Sequence, residues 1–478
     1  METLDGLDAA FLALEAGASH LHISAVLVLD PPEGRRSLFS PSTRYAQIRR
    51  LVAERVHLAP PLRQRAVSVP LDLAHPVWVD DPEFDLDNHL SRASLPDPGG
   101  DAELFHLVAE ISTRPLGPDG PLWEMVVVEG LADDRMAVVA KLHHAILDGV
   151  SGASLLAGFF DVGPRSRLVM PAPIWSPAPL PSAAQLLAHA GRAWGGQTRT
   201  AAGALRRSAE TVGSLVAQHR RLTQEGRRPA PLPFGAPRTS LNGAISSRRR
   251  FAAASLDLHQ LKLVGRTFGA TVNDVLMACV AGGLRRLLEH RGEGMTRPLV
   301  AAVPVSTRQD DDGHLGNQVS AMLVEIGTHR DDPVGRLLST VESAAVAKER
   351  EQLTGGDLIA GLAQMTAPAV ANRAARWASS LRVFDRVPPL FNVIVSGVVG
   401  PDVPLWCAGS RVVALYPVGP VAEGAALNIT AMSYLDRVHV GLLACRRMLP
   451  EVDELARWIT DELGLLVGAA LDAEGAAG

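Results

Sequence analysis

A chain of 478 residues and 50.7 kDa is too long for one ordinary hydrophobic core, so two domains, or at most three, are expected. Hydrophobic residues at 47% against 20% charged indicate a folded chain, and Lys+Arg 46 against Asp+Glu 51 leaves a formal net charge of -5, which gives no reason to expect nucleic acid as a partner. The three cysteines, Cys279, Cys407 and Cys445, are far apart and odd in number; they exclude a disulfide framework, form no metal-ligand spacing and read as buried thiols of a reducing, cytoplasmic compartment.

The opening METLDGLDAAFLALEAG mixes acids with apolar residues and does not have the pattern of a secretory leader. No window offers the roughly 18 uninterrupted apolar residues of a membrane span. A mean hydropathy of +0.12 is compatible with peripheral contact with the inner membrane face or with lipid bodies. Leu7 to Glu15 reads as a short helix and Leu21 to Leu29 as a largely buried strand, closed by Pro31, Pro32 and Gly34. His20 and His22 would share one strand face, but no third ligand is evident beside them and they read as structural histidines. A helix follows over Thr43 to Arg55. Trp78 to Leu90 is acidic and broken by proline, lacks the glycine and closing glutamate of a calcium loop, and reads as a loop with an edge strand. Asp101 to Arg114 forms an amphipathic helix with Leu104, Leu107, Val108 and Ile111 on one face.

The chain then reaches a hairpin, Trp123 to Val128 and Met136 to Leu142, which runs into His143 and His144. Strand alternation puts Val138, Ala140, Leu142 and His144 on one face and Val139, Lys141 and His143 on the other, so the two imidazoles point apart if the strand persists. One can face a substrate while the other meets packing or a supporting partner. A neutral imidazole is suited to taking a proton from an alcohol or thiol as that group attacks a carbonyl. Asp148 and Gly149 close the turn, the carboxylate as an acceptor and the glycine as a tolerant hinge.

Beyond this point Pro171 to Pro181 and Gly226 to Pro237 are rich in proline and glycine. They flank an Ala/Arg-rich helical stretch, Ala183 to Arg221, whose arginines, among them Arg206, Arg207, Arg220 and Arg221, suit a solvated helix or an anionic lipid surface. Phe268 to Leu288 is a turn and a long helix capped by Thr271, with Asn273 and Asp274 in its first turn. Pro298 to Val305 is a strand leading to Ser306. Asp357 to Trp377 has the pattern of a kinked core helix. Strands at Arg411 to Tyr416, Leu427 to Tyr434 and Arg437 to Leu443 precede a last helix from Val452 to Leu465, and their alternation fits a mixed or antiparallel sheet. Neither a GxGxxG opening, a Walker loop nor a GxSxG nucleophile elbow occurs.

The HHxxxDG pattern, written here HHAILDG, resembles that of the CoA-dependent acyltransferases with the chloramphenicol acetyltransferase-like fold. With PLWEMVVVEGL beside it, the chain resembles most the bacterial wax ester synthase/diacylglycerol acyltransferase family. LDGLDAAFLALE, HLHISAVLVL, TVNDVLMACVAGGLRRLL, PVSTR and GNQVS also look like family segments. In NVIVSGVVGPDVPLWCAG the sequence departs from the family's serine, asparagine, valine, proline, glycine, proline, with Gly397 for the asparagine and Val399 for the internal proline.

The resemblance implies an α/β fold of two chloramphenicol acetyltransferase-like domains with mixed sheets and a tunnel at their interface. Residues 1–170 would form the first domain, 171–237 the helical linker and 238–478 the second. It implies acyl transfer from a long-chain acyl-CoA to diacylglycerol or a fatty alcohol, with His144 as general base and His143 and Asp148 supporting it. Gly149, Asn273 and Ser306 are supporting or oxyanion candidates. No metal or bound organic cofactor is implied; acyl-CoA enters as co-substrate. A carrier-protein donor or another acceptor, a hydrolase, or a non-catalytic lipid-binding relative are the alternative readings of the same residues.

Overall fold

The computed structural model describes residues 1–15, 17–32, 41–148, 158–172, 174–192, 217–218, 220–232, 234–306, 319–354 and 383–477. Its strands are β1 (Glu2–Thr3), β2 (His22–Leu29), β3 (Gln64–Val67), β4 (Val77–Asp80), β5 (Leu90–Ser94), β6 (Trp123–Glu129), β7 (Met136–His143), β8 (Arg249–Asp257), β9 (Leu299–Ser306), β10 (Val319–Ile326), β11 (Val393–Val398), β12 (Trp406–Cys407), β13 (Ser410–Val418), β14 (Leu427–Tyr434) and β15 (Arg437–Cys445). One six-stranded sheet has the order β12-β13-β2-β7-β6-β5 and a second the order β10-β9-β11-β14-β15-β8, with a small third sheet β1-β4-β3. Both large sheets are mixed. β5 runs parallel to β6 in the first, and β11 runs parallel to β9 and β14 in the second.

Alternation along the central strands explains why the first sheet is covered on both faces. Leu27 and Leu29 of β2, Trp123 and Val127 of β6, and Met136 and Val138 of β7 join one apolar cluster with Ile48, Leu51 and Val52 of the helix Pro41–Arg55. Their neighbours Val26, Val28, Val126, Val128, Ala137 and Val139 join another, against Leu104, Val108 and Ile111 of the helix Asp101–Thr113. That second cluster also holds Phe251, Leu443 and Cys445 from β8 and β15, so it is the seam between the two sheets. A third cluster fills the far side of the second sheet beneath the helices Leu258–Phe268, Val272–His290, Pro333–Thr354 and Val452–Ala477.

The hairpin, the strand into Ser306, the helix over Asp101 and the tail strands stand where their patterns place them. The last helix runs on to Ala477 instead of Leu465, because buried Leu466 and Ala470 keep it docked across Gly464 and Gly468. The strand β8 and the helix Leu258–Phe268 were not anticipated; Asp257 caps that helix by accepting from the backbone N–H groups of His259 and Gln260, and Gly269 ends it at φ 66. Strands β12 and β13 belong to the first sheet although they lie beyond residue 400, so the two sheets do not coincide with two halves of the sequence. Segments 183–192 and 220–224 are helical; 193–216 and 355–382, including the helix expected over Asp357 to Trp377, lie outside the described residues. No single described helix is long and apolar enough to cross a membrane.

Candidate active site

β2 and β7 pair antiparallel with His22 directly opposite His143, so the end of this ladder gathers imidazoles from two distant stretches. The chain leaves β7 through a 3-10 turn, His144–Asp148. The backbone N–H of His144 donates to the carbonyl of Leu21 at 2.9 Å, and that of His143 to Leu122 at 2.9 Å, which fixes the exit on both sides. His143 is wholly buried, whereas His144 is only partly so. The two rings therefore do occupy different surroundings.

The ring of His144 lies 4.4 Å from that of Phe11, on the helix Gly6–Leu14, and its Nδ1 has no hydrogen-bond partner among the described residues. Burial disfavours its charged form, with a smaller contribution from His143, and lowers its pKa to about 4. At neutral pH the ring is an uncharged acceptor. Beside it, Ala145 donates its backbone N–H to Nδ1 of His143 at 3.1 Å, an N-cap contact for the turn made by the preceding side chain. A ring that accepts at Nδ1 carries its proton on Nε2.

The neighbourhood of Nε2 holds a residue that the sequence did not single out, Glu15. One of its oxygens lies 3.0 Å from Nε2 of His22 and 3.4 Å from Nε2 of His143, and accepts from the backbone N–H of Leu21 at 3.1 Å. Both imidazole contacts are close but not in line for a full hydrogen bond. Burial works to raise the Glu15 pKa; the contacts from His143 and His22 outweigh it and hold the carboxyl well below the usual range. Burial in turn lowers His22 to about 4. His20 stacks on His22 with ring centroids 5.5 Å apart, as residues two apart on one strand face should. Glu15, His22 and His143 each offer a donor within 4.8 Å of the others, close enough for a small metal ion. The proton on Nε2 of His143 closes that nitrogen as a ligand, and the cluster is better described as a carboxylate among N–H groups.

Lys141, next but one before His143, is fully buried and still charged-compatible because its ammonium donates to the carbonyl of Ile111 at 3.0 Å, to the carboxylate of Glu124 at 3.0 Å and to the carbonyl of Arg114. Those carbonyls end the helix Asp101–Thr113, where the helix dipole favours a cation. The PLWEM segment thereby clamps β7: Glu124 holds Lys141, and the indole N–H of Trp123 donates to Leu62 at 2.8 Å.

The remaining expected site residues divide. Asp148 ends the turn, but its side chain, Gly149 and the side chain of Ser306 lie outside the described residues. Asn273 stands in the first turn of the helix Val272–His290, whose capping is done by Thr271 and Asp274: the Asp274 carboxylate accepts from the Thr271 backbone N–H at 2.9 Å and from its hydroxyl at 2.6 Å. This leaves the Asn273 amide free of capping duty. Its Oδ1 sits over Gly397 of β11, 2.6 Å from where a Cβ would be. No hydrogen bond among the described residues joins Asn273 to either histidine of the turn, so the two halves of the expected site are held by separate elements. Val399, the other departure in that loop, is exposed.

Residues 4–276 match the family model described as the wax ester synthase/diacylglycerol acyltransferase catalytic domain, and residues 315–466 match the WS/DGAT C-terminal domain. Two Mycobacterium tuberculosis proteins named as candidate diacylglycerol O-acyltransferases are similar along nearly their whole length. Rv3087 is 36% identical over 450 residues, 93% of this chain and 92% of that protein, and Rv0221 is 35% identical over 480 residues, 99% and 98%. Among solved structures, the wax ester synthase/diacylglycerol acyltransferase from Marinobacter aquaeolei VT8 superposes with a TM-score of 0.68 at 27% identity, covering 98% of this chain and 100% of that one. The first condensation domain of the calcium-dependent antibiotic synthetase shares the fold, with a TM-score of 0.53 at 16% identity over 98% and 96% of the two chains.

Proposed function

Because the chain belongs to the wax ester synthase/diacylglycerol acyltransferase family and is an acyltransferase, we propose that it moves a long-chain acyl group from acyl-CoA to the hydroxyl of diacylglycerol or a long-chain alcohol, with His144 as the general base. The observation that carries this reading is the placement of His144: a partly open, uncharged imidazole at a strand end, backed by a buried second histidine. Its ring takes the acceptor's hydroxyl proton as the oxygen bonds to the thioester carbonyl carbon. Negative charge gathers on the carbonyl oxygen. As the tetrahedral adduct collapses, the carbon–sulfur bond breaks and the leaving thiolate takes the proton back from the imidazolium, so the ring ends as it began and no acyl-enzyme forms.

Asp148 organises the turn in this scheme, with Gly149 as its hinge. Asn273 and, less directly, Ser306 are the side chains offered for the oxyanion, where a preorganised donor contributes about 10²–10³ in rate. Apolar surroundings such as Phe11 exclude water that would otherwise take the acyl group. The lipid substrates fit peripheral contact with a membrane face or lipid body on the cytoplasmic side, and the exposed Leu168, Met170 and Ile174 supply apolar surface for it. The test is product formation by the wild type and by His144→Ala from palmitoyl-CoA, with diacylglycerol and hexadecanol offered separately. CoA release matched by triacylglycerol or wax ester, and lost in a folded His144→Ala, supports the reading and chooses the acceptor. Release of CoA with free acid and no ester overturns it.

A further inference from the structure

We infer that Glu15 is a positioning residue for the acyl-transfer site, holding His143 so that its ring caps the turn on which His144 is presented. The inference rests on His144 acting as the base. Three observations carry it.

The first is topological. Glu15 follows the helix Gly6–Leu14 and the chain turns at Gly17, with φ 65, before β2 begins; this brings the carboxylate back over the end of the β2–β7 ladder, where it meets His22 and His143 together. The second is the division of labour on the His143 ring. Nδ1 accepts from Ala145, so only Nε2 can donate, and among the described residues the carboxylate near it is Glu15 at 3.4 Å. The other tautomer, with its proton on Nδ1, would set an N–H against the Ala145 N–H and break the cap. The negative charge at Glu15 favours the proton on Nε2. The third is burial. His143 has no solvent to replace a lost partner, and its Nδ1 accepts from the Ala145 N–H, so losing the ring's orientation removes the contact that fixes the start of the turn carrying His144.

The helix and the residue that ends it supply both contacts: Phe11, within the helix, lies against His144, and Glu15, just past its end, against His143. Misplacing a reacting group by about 1 Å costs on the order of 10²-fold in rate, which sets the scale of the effect.

Wild type, Glu15→Ala and Glu15→Gln would be compared in the ester-forming assay, with His144→Ala alongside. Glu15→Ala is expected to lower kcat by about 10–100-fold while KM stays within about twofold, because no substrate contact is removed. Glu15→Gln, which keeps an acceptor oxygen, should retain more activity than Glu15→Ala. A Glu15→Ala kcat within about twofold of wild type overturns the inference, as does a loss that falls on KM. If Glu15→Ala does not fold, the same criteria apply to Glu15→Gln and Glu15→Asp, where a folded variant with unchanged kcat is the overturning result. Long-range nitrogen–proton NMR of histidine-labelled protein reads the His143 tautomer without turnover, so it separates failure of this inference from failure of the acyl-transfer reading. The Nε2–H form is expected in wild type and a mixture in Glu15→Ala; an unchanged tautomer overturns the assignment. Elemental analysis closes the remaining route: a stoichiometric transition metal in wild type, lost in Glu15→Ala, would replace a positioning carboxylate with a metal centre.

Discussion

Replacing Gly397 with alanine puts a methyl group 2.6 Å from Oδ1 of Asn273, and that oxygen must retreat by about 0.8 Å to reach the 3.4 Å of ordinary contact. The backbone itself accepts the change, since Gly397 is not among the residues at positive φ. The obstacle is the far end of a side chain with two torsions, so displacement forces Asn273 off its preferred rotamer at about 0.5–1.5 kcal/mol. Against this, alanine removes conformational freedom from the unfolded chain and contributes about 0.4–1 kcal/mol in favour of folding. The two nearly cancel, and the melting temperature should move little. Activity should not be spared. If the Asn273 amide donates to the oxyanion, moving it by this much removes most of a contribution of about 10²–10³ in kcat. The assay is kcat and KM for ester formation beside a thermal melt. A kcat within about threefold of wild type, in a protein that melts where wild type does, would refute the assignment of Asn273 and leave the oxyanion to another donor.

Other outcomes follow from charge and burial. With His144 lowered to about 4 by burial, its ring stays uncharged well below pH 6.5; with His144 as the proposed base, kcat/KM should stay level from pH 8 to about 5 and fall with a midpoint near 4, and a midpoint near 6.5 would contradict the burial argument. Stability carries the same sign. Burial lowers His22, His144 and His439 to about 4, so between pH 6.5 and 4 the unfolded chain binds their protons and the folded one does not; stability therefore falls as pH falls, by up to about 1.4 kcal/mol per pH unit for each histidine, read from denaturant midpoints across that range. Arg55 and Asp161 form a buried pair in which Nη2 donates to both carboxylate oxygens at 2.7 and 2.9 Å, with Nη1 donating to the Phe159 carbonyl, and Asp161→Asn should cost about 3–5 kcal/mol in urea unfolding. A loss under 1 kcal/mol would show the pair to be relaxed in solution. The thiols of Cys279, Cys407 and Cys445 are all buried, so an aromatic disulfide reagent should titrate them only after unfolding; rapid reaction of the folded protein would place one of them at the surface.

The sequence made the strand leading to the candidate site legible because an apolar run and a local motif both report on it. Met136 to Leu142 reads as a strand by its apolar run, and β7 extends to His143; opposite parity for His143 and His144 requires the strand to persist through both, and it does not, so their different burial arises from the 3-10 turn that begins at His144. Glu15 was out of reach for the same local reading. It meets His143 only through the β2–β7 pairing, across more than a hundred residues, and an acid at the end of a short helix ordinarily reads as solvated. The available signal was its place before a glycine turn and a His-x-His strand, which suggests a partner but does not name one. Lys141 misleads in the opposite direction. A lysine within a strand suggests an exposed position, yet its ammonium is buried against carbonyls contributed by the end of another helix, and that alignment exists only in the folded sheet. His20 and His22 read as structural because no third ligand is evident beside them; in the fold His20 stacks on His22, and His22 stands with Glu15 and His143, a grouping that the sequence did not supply.

β13 shows why two sheets need not mean two independent units of stability. Its residues alternate as a strand should, but alternation does not say which sheet a strand will join. In the fold it lies beside β2, pairing Tyr416 with Val26 and Val418 with Ser24, and so covers an edge that residues 1–170 would otherwise leave open. The phenol of Tyr434, from β14 in the second sheet, donates to the carbonyl of Val412 and accepts from the N–H of Leu405, tying that crossing segment to its origin. Removing residues beyond 400 would expose the hydrogen-bonding edge of β2 together with Val26 and Leu27, and would strip Leu443 and Cys445 from the seam cluster. The half of the chain that carries His144 therefore depends on the other half for its sheet edge and part of its core. A stretch ending at 170 should aggregate or remain unfolded, and the intact chain should lose ester formation and the seam in one thermal transition; a soluble, folded 1–170 would refute that dependence.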